Sequence, residues 1–549
     1  MRLPRRALIT AATGLACAGL HLLGAAAPAV ASSNQVAIIE DDDHMLADPA
    51  GTLQQFRKLG AGMVRVFLPW SAMAPDYNSS NEPANFDPTD PASYPDGVWD
   101  RWDAIVRDAK QAGIAVDFTI TGGSPRWAEH KARPSQIVGN QQRAWYPDAT
   151  KFGQFVRAAA KRYGGSYPDP QNAGQTLPRV SFWSIWNEPN FGEDLGPQAI
   201  NGSRTSVAPG IYRSLVNSAW QAFQATGHGH DTIVIGELAA RGLSGKATRK
   251  HPDGLPGNFA QTKPLLFIRT LYCVDANNRE LRGNAARSVG CPATAGASRA
   301  FRGQNPGLFN ASGFSDHPYP QDQPPTKDRS TDANFASFSE LPNMERELDK
   351  VTHVYGSGKH FSIYNDEYGY ITHPPNKGRF VSPTTAAYYI NWAEYLSWRA
   401  RRIASTMQYL LYDAPQNPAL PQGGFASGLL TAAGKFQPAY SAYRMPLYLP
   451  VSATRRRRSL EVWGDVRPAH FAAADTHNAQ FVQIQLQRGN KGSFGTVKRV
   501  KVTNQRGYFD TRVTFPSSGT VRLVWQYPSG DPNLPQGTIY SRHVQIKLR

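Results

Sequence analysis

Between Val36 and about Pro450 this chain alternates short apolar runs with amphipathic stretches, and that alternation restricts its fold more than any other feature. Candidate strands are Val36–Glu40, Met63–Leu68, Ile114–Thr121, Val180–Trp186, Thr232–Glu237, Gly313–His317, Phe361–Glu367 and Thr406–Tyr412. The stretches between them carry helical spacing, as in Trp102, Ile105, Val106 and Ala109, or in Ile211, Leu215, Ala219 and Phe223. Eight such units predict a closed barrel over an open doubly wound sheet. Surplus sequence falls after strands, at Pro75–Asp96, Arg241–Ala311 and Pro318–Asn334, on the face where barrels of this kind assemble their sites.

After Pro450 the helical spacing stops. Leu460–Trp463, Phe481–Leu486, Val497–Val502, Thr511–Phe515, Val521–Trp525 and Val544–Leu548 read as strands separated by Gly, Pro, Asn and Ser turns. The expected fold class is therefore α/β: a (β/α)8 TIM barrel over residues 32–450, then a small all-β sandwich over 451–549. Arg455–Arg458 reads as an exposed linker between them. From Arg455 onward there are sixteen Lys and Arg against five Asp and Glu, a net of +11 out of +17 for the whole chain. The basic character belongs to the tail.

Residues 1–31 read as an export signal. Arg2, Arg5 and Arg6 precede an apolar run to about Ala27, and Ala29-Val30-Ala31 offers a small-x-small cleavage site. The Arg5-Arg6 pair leaves both the twin-arginine and the general secretory routes open. No later stretch approaches the roughly 18 apolar residues of a membrane span, so the expectation is a secreted protein. Without the signal, Cys273 and Cys291 remain, an even pair that predicts a disulfide in an oxidising compartment.

Two segments carry chemistry. In Ser181-Phe-Trp-Ser-Ile-Trp-Asn-Glu-Pro-Asn190 an apolar strand leads to Asn187 and Glu188 at its C-terminal end. A carboxyl group beside Trp183 and Trp186 would be desolvated and hold its proton long enough to donate it, and the Asn187 amide suits a hydroxyl. The same tripeptide, Asn81-Glu82-Pro83, recurs in a polar loop with no strand before it, so position and not the tripeptide gives Glu188 its meaning. The second segment is Phe361-Ser-Ile-Tyr-Asn-Asp-Glu-Tyr-Gly369, where strand seven ends in Glu367; Asp366 alternates to the other side. Strands four and seven end across one barrel mouth, so two carboxyl groups can flank one bond there.

Trp-Asn-Glu-Pro at strand four with Glu at the end of strand seven resembles the clan of retaining (β/α)8 glycoside hydrolases that includes families 5 and 39. The resemblance covers about Val36 to Pro450. It implies Glu188 as acid/base and Glu367 as nucleophile, with no metal and no cofactor. It further implies that Arg65 on strand two steadies the nucleophile, that His317 and Tyr319 after strand six lie near it, and that Trp127 after strand three is a subsite aromatic. Strand eight departs from the clan, which usually ends it in Trp; here Tyr409 or Tyr412 takes that place. The Arg241–Ala311 insertion has no counterpart there.

Each supporting residue also has a plain reading: Arg65 as a structural ion-pair member, His317 as a core histidine, Trp70 and Trp127 as core aromatics. Asp41-Asp42-Asp43-His44 reads as a polar rim for hydroxyls, with His44 among the substrate contacts, because carboxylate metal loops usually alternate ligands with spacers. The substrate implied is a polysaccharide or oligosaccharide. The basic tail fits either an anionic polymer or a buttress on the barrel; export disfavours nucleic acid. Two other functions use the same features: a carbohydrate-binding or adhesion protein whose barrel lacks activity, and a transglycosidase.

Overall fold

The computed structural model describes residues 32–133, 144–199, 205–243, 258–420, 422–489 and 491–549. The export signal expected over residues 1–31 lies outside the described residues. Among the described residues no helix is long and apolar enough to cross a membrane.

Eight parallel strands form one sheet: β1 Val36–Glu40, β2 Met63–Pro69, β3 Ala115–Thr121, β4 Phe182–Ile185, β5 Thr232–Ala239, β6 Gly313–His317, β7 Ser362–Asn365 and β8 Ser405–Tyr409. They neighbour one another in chain order, and β8 pairs back onto β1 from Val36↔Ser405 to Glu40↔Tyr409. A parallel bridge between Ile363 and Ile403 closes the seam between β7 and β8. A helix follows each strand on the outside: α1 Pro49–Leu59, α2 Asp100–Ala112, α3 Ala149–Arg162, α4 Ala208–Ala225, α5 Pro264–Leu271, α6 Leu341–His353, α7 Pro383–Arg399 and α8 Pro438–Arg444. The sheet is thus a (β/α)8 barrel.

Burial explains the local choices. β2 and β3 are almost wholly buried, as strands covered on both faces must be. On β2 the outward Val64, Val66 and Leu68 meet helices while Arg65 points into the barrel. α2 buries the stripe Trp102, Ile105, Val106 and Ala109 and ends on Gly113, whose φ of 67° suits a residue without a Cβ. The Arg241–Ala311 insertion supplies α5 and a loop closed by the Cys273–Cys291 disulfide. Arg213 on α4 braces that loop, donating to the carbonyls of Leu271 (2.9 Å) and Gly290 (2.6 Å).

Beyond the barrel come β9 Leu447–Tyr448, β10 Ala453–Thr454, β11 Leu460–Asp465, β12 Gln480–Arg488, β13 Phe494–Val502, β14 Tyr508–Val513, β15 Gly519–Gln526, β16 Thr538–Tyr540 and β17 Val544–Leu548. They make a three-stranded sheet, β9-β11-β14, and a second sheet in the order β10-β17-β15-β12-β13, with β16 added on β15. One element differs from expectation. The tail contains a helix, α9 Ala469–Thr476, built from Ala-rich sequence that favours helix without an apolar stripe to announce it.

The tail is packed on the barrel. Trp463 of β11 meets Tyr395 and Trp398 of α7, with ring centroids 5.6 and 6.0 Å apart. Arg467, fully buried, pairs with Glu394 of α7 at 2.5 Å and with Asp465 at 3.2 Å.

Candidate active site

The C-terminal ends of the strands bring a group of charged side chains to one place. Arg65, buried at the centre of β2, donates from Nη1 to Oε2 of Glu40 on β1 (2.6 Å) and to Oε2 of Glu367 (3.1 Å). Its Nη2 donates to Oδ1 of Asn187 (2.8 Å) and to Oε2 of Glu237 on β5 (2.7 Å). Burial opposes its charge, but Glu40, Glu237 and Glu367 outweigh burial and raise its pKa well above the ordinary value. One guanidinium fork thereby fixes two strands and the loops beyond two more.

His317, at the end of β6, completes the frame. Its Nδ1 lies 3.0 Å from Oε1 of Glu188 and 3.4 Å from Oε2 of Glu367, and its Nε2 lies 3.3 Å from Oε2 of Glu237. Burial would lower its pKa, yet the Glu367 charge and the hydrogen bonds to Glu188 and Glu237 raise it well above the usual histidine value. The surrounding carboxylates thus favour the protonated imidazole. Glu188, His317 and Glu367 bring one ligand atom each within 4.8 Å of one another.

The buried acids divide by environment. Glu237 is held well below the ordinary carboxylate range: burial pushes it up, but Arg65, Asp366 and His317 all favour its charge. Asp366 behaves oppositely; burial and the neighbouring Glu237 raise it well above its usual value. Ser315 links the two, donating to Oε1 of Glu237 at 3.1 Å and also bonding Asp366. Glu40 is raised by burial despite Arg65. Of these carboxylates only two keep access to solvent. The side chains of Glu188 and Glu367 are 17% and 13% exposed, against 3% for Glu40, 1% for Asp366 and 0% for Glu237.

The backbone that carries these groups is bent. β4 stops at Ile185 and β7 at Asn365, so Glu188 stands in the loop beyond its strand as expected, and Glu367 stands in the loop beyond a strand expected to include it. Trp186 and Glu188 take left-handed φ values of 72° and 38°, and Glu237 one of 51°. Non-glycine residues in that region cost about 1–3 kcal/mol each, which the surrounding contacts must offset. Asn190 is one such contact: its Nδ2 donates to the carbonyls of Ala239 and Thr262, both at 2.9 Å, and its Oδ1 accepts from the Ala239 N–H.

Most of the residues expected at the site meet there. Asn187 is spent inward, accepting from Arg65 and bonding Asp194. Tyr319 donates to Oε1 of Glu367 at 2.8 Å, and Tyr409 stands edge-on to Tyr319 with centroids 6.4 Å apart. His44 stacks on Tyr412 at 4.1 Å and holds Asp41 at 2.7 Å, half-exposed in the short helix Asp42–Ala47 after β1. Trp127 is half-buried on the loop after β3, donating to the Pro75 carbonyl and packing edge-on to Phe86. Trp70 joins no part of this group. It is 1% exposed and packs against Phe152 and Phe155 in the core.

Glu40 and Glu237 were not singled out in the sequence, although each is an acid at the end of an apolar strand that faces a barrel mouth. The opposite end of the barrel has a hollow of about 460 Å³ lined by the starts of several strands with Arg401, Arg402 and Arg506. Its lining includes no carboxylate, so it offers no acid pair.

No family model and no curated protein sequence matches the chain. Among solved structures it is similar to the endo-beta-1,4-mannanase from Thermotoga petrophila, at 10% identity over 94% of this chain and 98% of that one, TM-score 0.38. It is similar to a glucosidase from Croceicoccus marinus, at 12% identity over 94% and 93%, TM-score 0.43. A GH5_18 protein from Streptomyces cattleya in complex with GlcNAc matches at 12% identity over 75% and 79%, TM-score 0.41.

Proposed function

We propose that this protein is an exported glycoside hydrolase that cleaves O-glycosidic bonds of polysaccharides or oligosaccharides with retention. The single observation that carries the reading is the placement of Glu188 and Glu367. They are the two solvent-reached carboxyls of the cluster, with an oxygen of each within 4.8 Å of the other. Retaining enzymes hold their two carboxyl groups about 5–5.5 Å apart and inverting ones about 6.5–9.5 Å, to make room for a water.

Glu367 attacks the anomeric carbon as the glycosidic C–O bond breaks, and Glu188 gives its proton to the departing oxygen. Glu188 then takes a proton from water, whose oxygen displaces Glu367 and releases the sugar. Arg65 and Tyr319 each donate to Glu367 and hold its carboxylate in place for attack. His317 binds both carboxyls and sets their spacing. Tyr409, Tyr412, His44 and Trp127 are the proposed substrate contacts around the pair. In this reading residues 1–31 are removed on export, and the barrel and the tail divide near residue 450.

Replacement of each acid by its amide tests the assignment on aryl glycosides of graded leaving-group acidity. Glu188→Gln retains a burst of aglycone from the most acidic leaving groups, because these depart without a proton. Glu367→Gln loses activity on every substrate, by at least about 10³-fold. A wild-type protein inert on a broad glycoside and polysaccharide panel would transfer the reading to a carbohydrate-binding protein.

A further inference from the structure

The outer face of the tail's larger sheet is unlike the rest of the surface. Antiparallel register places Phe481 opposite Lys501, Gln483 opposite Arg499 and Val524, and Gln485 opposite Arg522. Val524 in turn faces Tyr540. Partners directly opposite share a face. Their alternates Val482, Ile484, Leu486 and Leu523 fill the sandwich interior, so this set points outward. Phe481 and Tyr540 are 37% and 42% exposed.

The cations on this face are ordered. The Arg499 guanidinium lies 4.0 Å above the Phe481 ring. That of Arg522 sits 3.9 Å from Phe494 and 4.3 Å from Tyr540, with its Nε donating to Gln485 at 3.0 Å. A guanidinium held on a ring keeps its N–H fork free at the edge, where a carboxylate or phosphate fits it. None of the six strands β10, β12, β13, β15, β16 and β17 contains Asp or Glu. The charged side chains of these strands are all cationic, which favours an anionic partner. A merely solvated basic surface accounts for the Lys and Arg but not for the exposed aromatic rings among them.

We infer that this face binds an anionic polysaccharide: its acidic groups on Arg499, Lys501 and Arg522, its sugar faces on Phe481 and Tyr540, and its hydroxyls on the Gln row. This goes beyond the hydrolase reading and does not depend on it, since no residue of the barrel mouth takes part. The three-stranded sheet packs on α7 through Trp463, leaving the larger sheet as the outer layer.

Affinity gel electrophoresis of the full protein in gels containing polygalacturonate, carboxymethylcellulose, hydroxyethylcellulose or inorganic polyphosphate tests it. The two acidic polysaccharides retard the protein and hydroxyethylcellulose does not. Arg499→Gln, Lys501→Gln and Arg522→Gln together weaken retention by about tenfold or more, given the strength of charge-assisted contacts. Four Arg→Gln changes at Arg455–Arg458, which the structure places in an exposed turn between β10 and β11 of the tail and not in a linker before it, remove more charge and leave most of the retention. Phe481→Ala with Tyr540→Ala weakens retention by the polysaccharides more than by polyphosphate. Equal losses from the turn and the sheet variants, or retention by hydroxyethylcellulose, overturn the proposal. Because only binding is read, a failed hydrolase assay leaves this result standing, and the reverse holds too.

Discussion

Arg65 and Glu367 are joined by a 3.1 Å hydrogen bond that runs from the centre of β2 to the loop beyond β7. The same guanidinium binds Glu40, Glu237 and Asn187, so it serves both the proposed nucleophile and the barrel wall. Arg65→Lys keeps the charge but not the planar fork. It is expected to lower kcat by about 10²–10³-fold with a smaller change in KM, read by steady-state kinetics. Arg65→Met leaves Glu40 without its cation and Glu237 with His317 alone, and is expected to cost about 3–5 kcal/mol in denaturant unfolding.

Stability should fall as pH rises through the weakly acidic range. Burial pushes Asp42 up to about 7 and Asp117 up to about 8. Between an ordinary carboxyl pKa near 4 and those values the folded protein holds protons that the unfolded chain has released, so each step up in pH favours unfolding. His317 has the same sign: its contribution is fully present below about 6.5 and is lost as pH rises through its higher folded value. Glu237 has the opposite sign and loses its contribution as pH falls below about 4.5. Calorimetry across pH 4 to 8, about the window these groups set, checks the trend. Asp117→Asn, which mimics the neutral acid beside Ser184, should flatten its upper part; an unchanged slope would remove Asp117 from the explanation.

The Cys273–Cys291 bridge closes a loop of sequence separation 18. Loop-closure entropy for that length amounts to about 3 kcal/mol. The double Cys→Ser variant is expected to lose about that much in guanidinium unfolding, with kcat on a soluble glycoside unchanged. A loss in kcat as large as the loss in stability would tie the insertion to the reaction.

Arg467 links the tail to α7 as the buried partner of both Glu394 and Asp465. Arg467→Met leaves two buried acids unpaired and is expected to destabilise by about 3–5 kcal/mol. Truncation at residue 450 exposes Tyr395 and Trp398 as well as Glu394, so the isolated barrel should aggregate. A monodisperse, active fragment in size-exclusion chromatography would contradict this.

Periodicity located the eight barrel strands because each apolar run is both short and bounded by polar or Gly/Pro sequence. The placing of Glu188 and Glu367 at one barrel mouth is legible in their strand-end positions, whereas the neighbourhood of Arg65, His317 and Tyr319 is legible only through the resemblance to the retaining clan. The roles of Glu40, Glu237 and Asp366 are not legible, because whether an acid is ionised depends on neighbours brought together from four separate strands. Trp70 shows the converse limit. An aromatic at a strand end faces mouth or core according to a turn of backbone that composition does not reveal.

The left-handed turns at Trp186, Glu188 and Glu237 put tension into the mouth of the barrel. Selection for heat resistance would find easy gains in letting those three positions settle into ordinary conformations. Each gain would swing Glu188 or Glu237, or the tryptophan two residues before Glu188, out of line, so durable descendants of this protein should have strengthened their helices and tail while leaving these three bends untouched.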